Sequence, residues 1–171
     1  MATPTYTLID SVTLASSASS VTFSSISATG KGDLVLQILA GCINDNGRQV
    51  IIRLNGDTGS NYSYVNMRGE SGSALSNSAT TNRLFAGTPQ LPAANTWQMQ
   101  MQLMDFSDST KHTSTLTRVG NNTTGTYVTP GVHAIASRWA NTAAVTSISI
   151  ETSADSFSAG SSFFLYQLVS E

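Results

Sequence analysis

Two imidazoles, His112 and His133, are the only side chains in the 171-residue chain whose ordinary pKa lies near neutrality. A hydrolase would pair one of them with an activated serine. No G-x-S-x-G elbow occurs to hold such a serine on a strained turn. Serines are so frequent that a Ser-His-Asp set can be drawn almost anywhere, so such a set carries no information. His112 follows Lys111 in a polar turn, and His133 sits in an alternating stretch. Both read as surface or sheet histidines. Asp105 and Asp108 are the nearest approach to the paired carboxylates of a glycosidase. Their setting, Asp105-Phe106-Ser107-Asp108-Ser109-Thr110, reads instead as a strand end followed by a side-chain-capped turn. Two oxygen-rich stretches, Asn44 to Gly47 and Asn55 to Asn61, offer calcium-type ligands. Neither has the acidic residue that closes a calcium loop, and both read as tight turns. No phosphate-cradling glycine loop is present. No catalytic, cofactor or metal-binding residue is assigned.

Binding is the other chemistry open to these residues. Trp97, Trp139, Tyr62, Tyr64 and Tyr127 are aromatics of the kind that stack on sugar rings. Trp97 shares an alternating face with Met99, Met101 and Leu103, which places it in a core. Trp139 ends a strand before Ala140-Asn141-Thr142 and is open to either reading. Tyr62, Tyr64, Met67 and Arg68 belong to the types enriched at the centres of protein interfaces. Together with Tyr6 at the end of a short arm, Met1 to Tyr6, they are the candidate contact residues. Substituting Tyr64 or Arg68 by Ala is expected to weaken association without unfolding the domain. The competing reading packs Tyr62 and Val65 inside the fold. Three N-x-S/T sequons follow from the abundance of Ser and Thr and imply no glycosylation.

The elements that must position these residues are strands. The dominant periodicity is two. Tyr6 to Leu14 alternates, and Val21 and Phe23 repeat the pattern. Leu34 to Leu39 is apolar on both faces, as in a strand covered on both sides or by a neighbouring subunit. Val50, Ile52 and Leu54 share one face of the next strand. Tyr62 to Met67, the short Arg83 to Ala86, and Thr96 to Phe106 follow. Thr113 to Val119, Gly131 to Trp139, Val145 to Glu151 and Ser162 to Val169 complete about ten candidates. Asn44 to Gly47, Asn55-Gly56-Asp57, Asn121 to Gly125 and Thr129-Pro130-Gly131 supply turn chemistry between them. Glu70 to Asn82 is polar, Ser-rich and of low complexity, and reads as a long exposed loop. Many short strands punctuated by Gly, Asn and Pro predict an all-β fold. The expected form is a single jelly-roll antiparallel β-sandwich of about eight to ten strands over residues 1–171.

Composition narrows the partners. Charged residues are 11% of the chain, and the net charge is -2. No basic footprint for nucleic acid or an anionic membrane exists. No apolar run reaches the ~18 residues of a membrane-spanning helix. The opening residues carry no charged and apolar pattern of a secretory leader. Ser and Thr make up roughly 28% of the residues. Two Lys stand against six Arg. Lys is depleted at interfaces, so this surface reads as one meant to be covered.

One further pattern is informative. Ile51 to Tyr62 (IIRLNGDTGSNY) resembles a stretch found in small virion proteins of tailed bacteriophages. Trp139 to Ile150 (WANTAAVTSISI), then Phe157, Gly160-Ser161-Ser162-Phe163 and Leu165-Tyr166, is similar to the same group. So are Leu14 to Ser17 and Val21 to Ile26 near the start. At the end, Tyr166-Gln167-Leu168 departs from the Tyr-Gly-Ile of the group. The resemblance implies a jelly-roll protein on the outer surface of the virion, with no catalytic residues and no cofactor. It implies a capsid cement (decoration) protein bound to the major capsid protein, commonly as a homotrimer. The alternative it leaves open is a tail-fibre module that recognises host-surface glycans. A chain of one domain favours cement, because a fibre module would carry a shaft or an attachment domain as well.

Overall fold

The computed structural model describes residues 5–27, 32–44, 48–70, 72–87, 91–93, 95–121 and 130–169. Twelve strands account for the regular structure of these residues. They are β1 (Tyr6–Thr13), β2 (Ser20–Phe23), β3 (Gly32–Ala40), β4 (Val50–Leu54), β5 (Tyr62–Glu70) and β6 (Ser73–Thr81). The series continues with β7 (Leu84–Phe85), β8 (Trp97–Met104), β9 (Thr113–Asn121), β10 (Gly131–Trp139), β11 (Ile148–Thr152) and β12 (Ser162–Val169). All pairings are antiparallel. The all-β expectation is met by a two-sheet sandwich. One sheet runs β1-β12-β3-β8-β9-β10-β5-β6, and the other runs β2-β11-β4-β7. The chain steps repeatedly between them: β2, β4, β7 and β11 lie in the small sheet, and the strands between return to the large one.

Alternation builds the core. Val50, Ile52 and Leu54 are buried while Ile51 and Arg53 are half-buried, as the period of two requires. Trp97, Met99, Met101 and Leu103 all point inward from β8. They join Leu34, Leu36 and Ile38 of β3 and Phe163 and Leu165 of β12. Phe23, Ile148 and Ile150 of the small sheet close over them in one continuous cluster. Each such side chain contributes about 1.5–3 kcal/mol by leaving water. Phe157 meets Phe163 edge-on at 5.1 Å between ring centroids.

The turn at Asn55-Gly56 carries positive φ at both residues, 51° and 67°, and closes with Asp57 N–H donating to the Leu54 carbonyl at 2.9 Å. Asn55 also ties the chain forward: its side chain donates to the Ala144 carbonyl and accepts from Thr146 N–H at 2.8 Å each. An Asn at this position therefore serves both the turn and the link to the segment leading into β11.

Glu70 to Asn82 corrects the sequence reading. It is not a long loop. Ser73–Thr81 forms β6, which pairs along its whole length with β5. Eight of its nine residues are exposed and the last is half-buried. A strand that buries neither face has no hydrophobic period to betray it. Backbone pairing with β5 alone makes it. The arm read at Met1 to Tyr6 is described only from Thr5. Tyr6 already belongs to β1, paired with Leu168 at the rim of the large sheet. Residues 45–47 and 122–129, including Tyr127 and most of two predicted turns, lie outside the described residues.

Candidate interaction surface

The register fixes which side chains share the outer face of the large sheet. One row across it reads Leu8, Tyr166, Val35, Gln102, Leu116, Ala136, Val65, Ser78. The next reads Ser11, Phe164, Gln37, Gln100, Arg118, Ala134, Met67, Ser76. A third carries Leu39, Gln98 and Val132. Large apolar side chains stand exposed here: Leu116 at 52%, Val65 at 58%, Met67 at 64% and Val132 at 66%. Scattered singly they would need no explanation, but contiguous they form a patch.

The polarity of β9 and β10 is the unusual feature. Their sandwich-facing side chains include Thr113, Thr115, Thr117, His133 and Ser137, all buried. Their outward-facing side chains include Leu116, Val132, Ala134 and Ala136, all exposed. At these positions a sheet face that ended in water would carry the opposite assignment, whereas Val119, Ile135 and Trp139 inside and Arg118 and Arg138 outside follow the ordinary one. The hydroxyls of Thr115, Thr117 and Ser137 find no hydrogen-bond partner. An unpaired buried hydroxyl costs about 1–3 kcal/mol.

The outer face is concave. A hollow of about 400 Å³ is lined by Tyr6 of β1 and by Leu116, Val65 and Met67 of β9 and β5. A flat sheet would hold β1 and β5 roughly 29 Å apart, so the sheet curls along its twist. A second hollow of about 780 Å³ is lined by Gln37, Gln98, Gln100, Arg118, Phe164 and Val132, among others. At the β1 end, Tyr6 meets Tyr166 edge-on at 6.5 Å, and Tyr166 stacks on Phe164 at 6.4 Å. The floor is thus Gln amides and one cation, Arg118, with apolar shoulders. Asp33 also faces this side, where it accepts from Gln102 Nε2 at 2.5 Å and from Asp105 N–H at 2.9 Å.

The five candidate contact residues divide. Tyr6 (52% exposed) and Met67 lie on the outer face. Tyr62 is buried at 1% exposure, stacks on Trp139 at 6.4 Å and donates to the Asp57 carbonyl at 3.1 Å. It is a core residue and offers nothing to a partner. Burial pushes its phenol up to about 12. Tyr64 and Arg68 face the sandwich side. Tyr64 is half-buried, stacks on Phe85 at 4.2 Å and accepts from Asn77 Nδ2 at 3.0 Å. Replacing it by Ala removes that packing, so the first loss is stability rather than association. Arg68 pairs with Glu70 at 3.3 Å. Val65, by contrast, points out rather than into the core.

Of the residues considered for catalysis, Asp105, Asp108 and His133 make contacts that hold the fold. Asp108 N–H donates to the Asp105 carbonyl at 2.9 Å, and the Asp108 carboxylate accepts from Thr110 N–H at 2.8 Å and from its hydroxyl at 2.6 Å. The Thr110 bonds hold the Asp108 carboxyl below its usual range. Lys111 bridges Asp105 at 2.7 Å. His112 is exposed in that turn. His133 is fully buried, with Nδ1 3.1 Å from Asn66 Oδ1 and Nε2 3.3 Å from Glu70. Burial pushes it below its ordinary value, against the pull of Glu70. In the oxygen-rich loop, Asp57 accepts from Trp139 Nε1 at 2.7 Å, Gly59 N–H at 2.8 Å and Asn61 Nδ2 at 2.9 Å. Its lone pairs hold the turn together, which is a fold role. Among the described residues no three metal-ligating side chains gather.

Sequence reasoning missed Leu8, Leu116, Val132, Phe164 and Tyr166 as surface, whereas the double-sided apolar run Leu34 to Leu39 already pointed to an outward Leu39. The signal was present in β10, where Val132, Ala134 and Ala136 alternate with His133, Ile135 and Ser137. Periodicity identifies two faces and leaves open which one meets the other sheet. No family model, no curated protein and no solved structure matches the chain.

Proposed function

We propose that the chain is a non-enzymatic structural protein of a tailed-phage virion, a cement protein on the outside of the head. In this reading the outer face of the large sheet seats on the major capsid protein and bridges capsomers. The protein self-associates as a homotrimer, as the resemblance implies. The observation that carries it is the group of exposed apolar side chains on that face, Val65, Met67, Leu116 and Val132, set beside a β9 that buries Thr113, Thr115 and Thr117. Such a face gains by being covered, since about 25 cal/mol accrues per Å² of apolar surface removed from water. Its few charges suit a dry contact core. The repeated crossing of the chain between the two sheets at β2, β4, β7 and β11 supports the jelly-roll form of the sandwich.

Quantitative mass spectrometry of purified virions tests the role. Copy numbers on the scale of the capsomer count are expected; a handful per particle would place the chain in the tail. A second reading, glycan recognition by a tail module, draws on the aromatic group Tyr6, Phe164 and Tyr166 beside the Gln37, Gln98 and Gln100 amides. A glycan array with the isolated protein separates the two, because cement predicts no binding there.

A further inference from the structure

The two sheets have four edges, and they are not treated alike. In the small sheet, β2 has four residues and β7 has two, too short to template a neighbour. At one end of the large sheet, β1 is broken by a register shift between Leu8 and Asp10. Asp10 follows that irregularity opposite the inward-facing Leu165 and so brings a charge to the sandwich side. Shortness, bulges and inward charges are the devices that stop strand edges from pairing. At the other end, β6 has none of them. It runs nine residues, Ser-Ala-Leu-Ser-Asn-Ser-Ala-Thr-Thr, in unbroken register with β5. It contains no charge and no proline. Among the described residues no strand lies beside its outer edge, and its residues are exposed from Ser73 to Thr80.

We propose that β6 is a docking edge for β6 of a second copy of this chain, paired antiparallel about a twofold axis. The partner follows from the same comparison. Of the four edges among the described residues only β6 is long and unblunted, so the edge that can receive it is another β6. Self-pairing brings no like charges together, because the strand carries none. A twofold axis satisfies both copies with one surface. The pair would join two large sheets into one continuous sheet, satisfying ladder groups that otherwise face water. Leu75, 46% exposed on β6, and Met67 on β5 lie near the seam and add apolar area to it. This contact goes beyond the capsid-binding face. In a trimeric particle it would link one trimer to the next.

The test is sedimentation of the full chain as wild type and as the double variant Ser76→Lys, Ser78→Lys. Both positions are exposed and face outward beside Met67 and Val65. The wild type is expected to show twice the mass of the variant, whether dimer against monomer or hexamer against trimer, while the variant still unfolds cooperatively at a melting temperature no higher than that of the wild type, which association stabilises. A wild type with the variant's mass at high micromolar concentration would overturn the proposal. So would a variant that keeps the wild-type mass. Hydrogen exchange on the wild type alone gives an independent reading. Protection of the β6 amides should rise with protein concentration, and concentration-independent exchange would sink the pairing. None of these results depends on capsid binding, so failure here and failure of the cement reading are separable.

Discussion

One buried group, His133, and one half-buried group, Asp57, contribute to how the protein answers to pH and to small changes. His133 sits between Asn66 and Glu70, with Arg68 close by on β5, and burial depresses its pKa from the ordinary 6.5. The unfolded chain therefore takes up this proton before the folded one does. Its contribution to stability is complete above that value and declines as pH falls through it, until the folded imidazole also protonates. One proton sets a slope of at most about 1.4 kcal/mol per pH unit. Urea unfolding at neutral and mildly acidic pH should show this loss, and His133→Gln should flatten it. Equal pH dependence in the variant would assign the loss to another group. Asp57 works in the opposite direction. The Trp139 indole holds its carboxyl below the usual 3.8, aided by Asn61 and Gly59 against the effect of burial. The stability from that bond is present above 3.8 and fades as pH falls through and below it. Trp139→Phe should cost about 1.5–3 kcal/mol near neutrality, the range for a hydrogen bond to a charged group. The difference from wild type should narrow in acid. The turn chemistry of Asn55 to Asn61 was legible in the sequence, but its partner Trp139 was not. Eighty-two positions separate donor and acceptor, and only the folded chain brings them to 2.7 Å.

At the scale of elements, alternation located most strands and oriented those of the core. Val50, Ile52 and Leu54, and the Trp97 to Leu103 series, lie where a period of two puts them. β6 escaped because its register is imposed by β5 and not by its own side chains. β9 shows a different limit. Thr113, Thr115 and Thr117 share a face, and polar residues on one face ordinarily mark the solvent side. Here that face is inside, and the hydroxyls of Thr115 and Thr117 go unpaired. Thr115→Val and Thr117→Val should therefore each raise stability by about 1 kcal/mol, since each removes an unsatisfied buried group at constant shape. Chemical denaturation midpoints measure this. A loss of stability would mean that the hydroxyls have partners.

For the whole molecule, the question is what the curved outer face of the large sheet meets. Leu116→Lys combined with Val132→Lys changes two exposed side chains on neighbouring strands. Monomer stability should move by less than about 0.5 kcal/mol, as for surface sites generally. Binding to capsids stripped of the protein should be lost, because two desolvated ammonium groups would enter an apolar contact. Undiminished capsid binding would remove this face from the cement reading. The sequence by itself determined that the chain is all-β and which residues alternate. Those features are local: side-chain period and turn chemistry act within a few residues. Which face of β9 and of β10 lies inside, and which edge stays open, was decided only by tertiary structure. Both depend on where the second sheet ends, and a small sheet of four strands cannot cover a large one of eight.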